Sequence, residues 1–405
     1  MRALIITQYF WPEDFRINDL TADLISKGYE VSILTGRPNY PEGIIFPEYK
    51  AGTKNFKYFN QSRIYRCPIP SRGDSRFRLF LNYLTFVIFG SLYSLVLSSK
   101  HKFDFIFVFE PSPISVCIPA IVAKKVFKTP IIFWVLDLWP ETLQAVGILK
   151  KDSFIYKLIL KLVRWIYNNC DILLGQSRSF VKKIKLETLR NQPVLYFPNW
   201  VESDFEINVR KELKINKNPK FKLFFAGNIG EAQDFPSILE AIKLIDKDVN
   251  FELHIYGDGR KKTWVEKEIS SCNLNNIVFL HGRRPQSEMS DILSSADAFL
   301  VSLKNDPILD ITIPGKLQTY LSLGKPILGM VSGECAELIN ESKSGYTSPP
   351  GDHIGLSKNI ARLIATDTHQ LTEMGANAVK FSNENFNKEK LMAWLDDLIK
   401  KLISK

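Results

Sequence analysis

Short apolar runs separated by longer amphipathic stretches set the rhythm of this chain. In the first half the runs cover residues 3–7, 31–35, 64–67, 103–109, 131–137 and 172–175, with helical patterns between them at 16–27, 113–127 and 154–168. Short buried runs alternating with helices imply a parallel sheet covered on both faces. A second series follows at 222–226, 252–256, 277–280, 298–302 and 327–330, again with helices between. The intervening segment 202–220 is rich in Lys, Asn and Glu and has no sustained apolar face, so it reads as a linker. The pattern therefore predicts an α/β chain with a doubly wound, Rossmann-like domain at 1–201, a linker at 202–220, a second such domain at 221–384 and a terminal amphipathic helix within 385–405.

One apolar stretch does not fit a strand. Residues 79–97 approach membrane-spanning length but include Asn82, Thr85 and Gly90 and lie between two strand patterns of one domain. They read first as a buried helix, with membrane contact as the alternative. Arg72, Arg76 and Arg78 precede the stretch and Lys100, His101 and Lys102 follow it, which suits an anionic lipid surface. The N-terminal apolar run is too short for a signal peptide and begins a strand at once.

Composition narrows the class. With 405 residues, 45% hydrophobic and 24% charged, the chain has room for two globular cores. A net charge of +10 favours anionic partners, among them nucleotide diphosphates, membranes and nucleic acid. The five cysteines are widely spaced, which suggests a reducing compartment and neither a disulfide framework nor a zinc site. The five histidines are scattered and name no metal cluster.

Candidate chemistry gathers at strand ends. In IPGKLQTYLSLGKPIL, residues 313–328, a Pro-Gly pair precedes a helix and Gly324-Lys325-Pro326 ends it. The N–H groups of Gly315, Lys316 and Leu317, with the Lys316 ammonium, would make a phosphate site; an ordinary turn with a surface lysine is the alternative. The second domain opens with a loop in which Gly227 and Gly230 allow close backbone approach and Asn228 and Gln233 can donate hydrogen bonds. Arg260, Lys261 and Lys262 form a basic helix start after another strand, which a nearby anionic ligand or ordinary surface lysines would explain, and His281-Gly282-Arg283-Arg284 follows the next strand at the equivalent edge, where a doubly wound sheet places its ligand crevice. In the first domain Arg16 could serve an anion or simply open a helix in solvent. Asp137 and Glu141 end an apolar strand beside Trp134 and Trp139, a suitable wall for a sugar ring; the alternative is an aspartate helix cap with Trp139 and Pro140 packed below it. Asp246-Lys247-Asp248 matches an Asp-x-Asp pattern but precedes a strand instead of ending one, as a solvated turn would.

Together, YFWPEDFR, TGRPNYPEG, DLWPETLQAVGIL, FPNWVE, FAGNIGEAQDFPSILEAI and IPGKLQTYLSLGKPIL resemble the family 4 retaining glycosyltransferases, and within them the bacterial O-antigen and capsule transferases of N-acetyl-L-fucosamine. The resemblance implies a GT-B fold, with two Rossmann-like domains facing each other across a cleft and a C-terminal helix crossing back to the first. It implies a UDP-sugar held by the second domain through Gly227, Asn228, Gln233, Arg260, Gly282, Arg283, Pro314, Gly315, Lys316, Leu317 and Thr319. An acceptor would lie on the first domain at Arg16, Asp137, Trp139 and Glu141, with Asp137 and Lys316 the catalytic pair and no metal or other cofactor required. There are departures. The family's paired glutamates fall at Ile311 and Thr319, with Asp310 one place before; the basic residues of the second domain's first loop are Asn228 and Gln233; and the first loop's glycine pair is Asp14-Phe15.

The expected activity is metal-independent retaining transfer of a sugar, N-acetyl-L-fucosamine by the subgroup resemblance, from a UDP-sugar to a polyprenyl-diphosphate-linked saccharide in O-antigen (lipopolysaccharide) or capsule polysaccharide synthesis. The expected place is the cytoplasm, peripheral on the inner face of the membrane. A nucleotide-sugar epimerase of the same shape is one alternative. A basic nucleic-acid-binding protein is another, but it would cluster basic and aromatic residues along one groove, whereas here the basic residues are dispersed.

Overall fold

The apolar runs become two sheets in the computed structural model, which describes residues 1–54, 56–73, 75–145, 147–151, 153–201, 220–246 and 249–404. The first sheet contains β1 (Arg2–Thr7), β2 (Glu30–Thr35), β3 (Tyr58–Phe59), β4 (Ser62–Arg66), β5 (Phe105–Glu110), β6 (Ile131–Val135), β7 (Ile172–Gly175) and β8 (Val194–Tyr196). Their order is β3-β4-β2-β1-β5-β6-β7-β8, and only the β3–β4 pair is antiparallel. The second sheet contains β9 (Phe221–Ala226), β10 (Phe251–Tyr256), β11 (Val278–Gly282), β12 (Ala298–Ser302), β13 (Ile327–Met330) and β14 (Gly345–Ser348), all parallel, in the order β11-β10-β9-β12-β13-β14. This is the GT-B fold, with two doubly wound Rossmann-like domains. In each sheet the winding reverses beside the first strand, between β1 and β5 and between β9 and β12. A doubly wound sheet opens its ligand crevice at that point, beyond the carboxyl ends of the strands.

Alternate residues of the second sheet enter different cores. Leu223, Phe225, Leu253 and Ile255 pack on one face, while Phe224, Phe299, Val301 and Ile327 pack on the other. Several expected boundaries shift. β6 ends at Val135, which leaves Asp137 in the following loop, and β5 runs on to Glu110. The 113–127 helix is a 3-10 turn, Ile114–Cys117, followed by the helix Ile118–Phe127. The short edge strands β3, β8 and β14 were not among the expected runs; in β14 only Ser348 is buried.

By contact the chain separates into Met1–Pro198 with Glu389–Lys405, and Asn199–Lys388. Asn199 and Val201 therefore go with the second unit, where Gln318 Nε2 donates to the Asn199 carbonyl at 2.8 Å and Val201 N to the Phe386 carbonyl at 3.4 Å. The terminal helix Lys388–Ile403 belongs with the first unit from Glu389 onward: Trp394 stacks on Phe197 at 5.6 Å, and the Tyr29 hydroxyl donates to Asp396. The 202–220 linker lies outside the described residues apart from Lys220, as does the Asp246-Lys247-Asp248 turn apart from Asp246.

The expectation that 79–97 forms a buried helix is overturned. The helix Arg76–Lys100 buries only one face, made of Asn82, Phe86, Gly90, Ser94, Leu97 and Ser98. Its other face exposes Phe77, Phe80, Leu84, Ile88, Leu92 and Val96, at the three- and four-residue spacing that makes one stripe. Polar contacts clamp the inner face to the domain: Gln8 Nε2 donates to Asn82 Oδ1 at 2.9 Å, and Ser94 Oγ donates to the Pro119 carbonyl at 2.9 Å. A Cβ at Gly90 would lie 2.9 Å from Pro119 Cγ, so glycine there permits the close approach.

Candidate functional site

In the second domain the helix Gly315–Ser322 is fixed to the end of β9 by a tyrosine. The Tyr320 hydroxyl accepts from Ala226 N at 2.7 Å and lies 3.2 Å from the Ala226 carbonyl, while its ring stacks on Phe299 at 4.2 Å. That anchorage carries Lys316 to the β9 loop. Its Nζ lies 3.9 Å from the centre of the Phe225 ring, a cation–π position, and next to Gly227, where a Cβ would come within 3.3 Å of it. The Nζ is buried and has no hydrogen-bond partner. Burial pulls the Lys316 amine down from 10.5 to about 7, against a smaller upward effect of Cys335. A surface lysine is therefore excluded; the chain holds an unpaired amine beneath the loop at its topological switch point.

The surrounding loops are shaped by glycine. Gly227 has φ +141°, and a Cβ at Gly257 would meet the Gly227 carbonyl at 1.8 Å, so the loops after β9 and β10 can touch only without side chains. Gln233 is buried and its Oε1 accepts from Gly230 N at 3.1 Å, which makes it a brace of the loop, whereas Asn228 is exposed. Leu317 does not offer a free N–H: that group donates to the Pro314 carbonyl at 2.9 Å and the side chain is core. Thr319 Oγ1 bonds back to the Gly315 carbonyl at 3.4 Å. Arg260 and Arg283 are exposed. By contrast, Lys261 pairs with Glu231 at 2.7 Å and Lys262 with Asp258 at 3.9 Å. Beside Gly282, His281 stacks on Tyr256 at 4.4 Å and meets His254 at 2.9 Å. Asp310, next to the position of the missing glutamate, accepts from the Ser332 hydroxyl.

In the first domain a buried carboxylate ties two loops together. Glu13 accepts from Phe10 N at 3.1 Å, Asn39 N at 2.7 Å and Tyr40 N at 2.8 Å; burial raises its carboxyl and these N–H groups oppose the rise. Arg66 completes the tie by donating to the carbonyls of Trp11, Gly36 and Phe56. Asp137 is held tightly: Trp139 Nε1 donates at 3.2 Å, and the Thr142 hydroxyl also donates. Beneath it, the fully buried Glu110 accepts from Leu136 N at 3.3 Å and Asp137 N at 3.1 Å. Burial first, then the neighbouring Asp137 charge, pushes the Glu110 carboxyl well above its ordinary range and favours the neutral acid. Burial likewise raises Asp137. Tyr83, from the apolar helix, lies beside Ser112, which in turn lies beside Asp137. Arg16 opens the helix Arg16–Ser26 half-buried, 3.9 Å from Asp19, and Glu141 opens the short helix Glu141–Ala145 with its carboxyl raised by burial. Sequence reasoning missed Glu13, Glu110, Tyr83 and Tyr320. The available signal was weak: Glu110 is one acid closing an apolar run, and Tyr83 lies within the apolar stretch 79–97.

Comparison with known proteins bears on the family and the fold. Residues 206–381 match the family model described as Glycosyl transferases group 1. The chain is 28% identical over 250 residues to a protein of Pseudomonas aeruginosa named as a probable glycosyltransferase, WbjE, a match covering 59% of this chain and 61% of that protein's length. It is 25% identical over 345 residues to WcaI of Escherichia coli (strain K12), which carries a colanic acid biosynthesis glycosyltransferase name, covering 80% of this chain and 82% of that one. Among solved structures, Anabaena Alr3699/HepE in complex with UDP superposes with a TM-score of 0.69 at 14% identity, over 99% of this chain and 100% of that one.

The Lys316 amine makes a prediction about stability. Its folded value near 7 lies below the 10.5 of the free side chain, so the unfolded chain holds a proton that the folded chain releases between those values. Stability gained through this group thus rises with pH across that window, and below about pH 7 the full penalty of burying the charge applies. Lys316→Met should raise the calorimetric Tm at pH 6 by a few degrees, about 2–4 °C per kcal/mol recovered. The gain should shrink as pH approaches 10; a variant that melts below the wild type at pH 6 would contradict it.

Proposed function

We propose that this chain is a retaining glycosyltransferase that moves a sugar from a UDP-sugar to a polyprenyl-diphosphate-linked saccharide during O-antigen or capsule synthesis. The observation that carries the reading is the buried, unpaired Lys316 amine under the Gly227 turn, in the domain that matches the group 1 glycosyltransferase model. UDP as carrier is supported by the UDP-bound Anabaena neighbour, and a polysaccharide product by the colanic acid relative. N-acetyl-L-fucosamine as the sugar rests on the motif resemblance.

As the glycosidic bond breaks, charge accumulates on the leaving diphosphate. The N–H groups of Gly315 and Lys316, at a helix N-terminus, and the Lys316 ammonium would stabilise it as a fixed oxyanion site does. A cationic side chain and a helix end replace what a metal would supply, so the proposed reaction is metal-independent. Retention without a dedicated nucleophile suits front-face attack, with the donor phosphate receiving the acceptor proton. Asp137, fixed by Trp139, Thr142 and the Glu110-bound backbone, would orient the acceptor hydroxyl. Purified protein with UDP-N-acetyl-L-fucosamine and a polyprenyl-diphosphate saccharide should form product with the anomeric configuration retained, and should do so in excess EDTA. Activity lost in chelator and restored by Mg²⁺ would overturn this chemistry.

The exposed stripe of the helix Arg76–Lys100 supports a place on the inner face of the cytoplasmic membrane. Its apolar residues would enter the acyl boundary as an interfacial helix does, and the exposed Arg76 and Arg78 would meet anionic headgroups at about 1 kcal/mol each. Phe80→Asp with Ile88→Asp should reduce sedimentation with phosphatidylglycerol vesicles by about tenfold or more while leaving the Tm unchanged, because both side chains are exposed. Equal recovery of wild-type protein in the supernatant with anionic and neutral vesicles at low salt would sink the idea.

A further inference from the structure

Arg72 lies on the loop entering the helix Arg76–Lys100, and its setting differs from that of the arginines nearby. Its backbone N–H donates to Asn39 Oδ1 at 3.1 Å, which fixes it against the loop that Glu13 also holds. The guanidinium carbon then lies 5.3 Å from the centre of the Tyr40 ring and 5.7 Å from that of Tyr9. With Phe15 these rings form a cluster whose centroids are 5.0 to 5.4 Å apart. Resting on aromatic faces orients a guanidinium while leaving its N–H donors available. Arg66, in contrast, has its donors engaged by three carbonyls. Among the described residues no carboxylate lies within ion-pair distance of Arg72 and its side chain donates no hydrogen bond.

What flanks this cation gives it a use. On one side is Tyr83, close enough to feel the Arg72 charge, with Ser112 and then Asp137 beyond it. On the other, the chain enters the exposed apolar stripe at Phe77 and Phe80. The sequence apolar stripe, arginine, carboxyl matches the order hydrocarbon, phosphate, sugar in a lipid-linked saccharide. We propose that Arg72, held over the rings of Tyr9 and Tyr40, binds the diphosphate of the lipid-linked acceptor. The proposal rests on the reading of the chain as a transferase with such an acceptor, and it replaces Arg72 as a simple membrane contact.

The probe is farnesyl diphosphate, titrated calorimetrically into the full chain in detergent, with farnesol, inorganic diphosphate and glucuronate as comparison ligands and UDP as an independent control. Wild type should bind farnesyl diphosphate better than farnesol or glucuronate. Arg72→Gln should weaken that binding about tenfold to a hundredfold, the range for a charge-assisted contact. Arg72→Lys should fall between, because an ammonium cannot reproduce a stacked fork; it carries the test if Arg72→Gln does not fold. UDP affinity should be the same in all three proteins. Equal farnesyl diphosphate affinity in wild type and variant, no binding by wild type, or preference for glucuronate would each overturn the proposal. Failure of UDP to bind wild type would instead strike the donor reading.

Discussion

An amine buried without a partner is an unfavourable thing for a fold to keep, and the second domain is arranged to keep one. Tyr320 bonds the backbone at Ala226 and stacks on Phe299, so the helix that carries Lys316 cannot drift from β9. The Phe225 face gives the amine its contact, and the absence of a side chain at Gly227 gives it room. Each of these features would be needless around a solvated lysine. An anion arriving at the Gly227 turn would supply the missing counter-charge, and the released strain of an uncompensated buried group would add to binding.

The first domain uses carboxyl groups in the opposite sense, as ties between backbone segments. Glu13 gathers three N–H groups from two loops and Glu110 gathers two from the loop that carries Asp137. Buried acids that accept from backbone N–H groups fix loop geometry at a strand end, where a substrate-orienting side chain needs it. Tyr83 then links this cluster to a helix whose outer face is apolar and exposed. One element thus presents both an exposed apolar stripe and a polar group near Asp137.

Much of the architecture was legible because buried parallel strands write themselves as apolar runs. β1, β2, β7, β9, β12 and β13 follow those runs closely, whereas β3, β8 and β14 are edge strands of two to four residues, too short to stand out as runs. The helix Arg76–Lys100 was misread because total apolarity says nothing about which face meets the domain; the spacing of Asn82, Phe86, Gly90 and Ser94 held that information. In the second domain, Lys316 was legible from a local Pro-Gly-Lys pattern, but its burial was not, since that depends on Tyr320 reaching a strand distant in sequence. Leu317 and Gln233 looked like ligand contacts for the same reason: a sequence shows donors, not the partners they already have. Glu110 and Tyr83 gain their roles only when β5, β6 and the apolar helix are brought together.

If a nucleotide diphosphate seats on the Lys316 amine, its binding must draw in a proton, and proton uptake can be measured. With its free-protein value near 7, the amine is mostly neutral at pH 8 and must gain a proton to face a phosphate. UDP should therefore be titrated calorimetrically at pH 8 in two buffers of different ionisation heat. The observed heats should differ by an amount equivalent to uptake of about one proton per UDP bound, and Lys316→Met should abolish the difference. Equal heats in the two buffers, with UDP bound tightly by wild type, would contradict it.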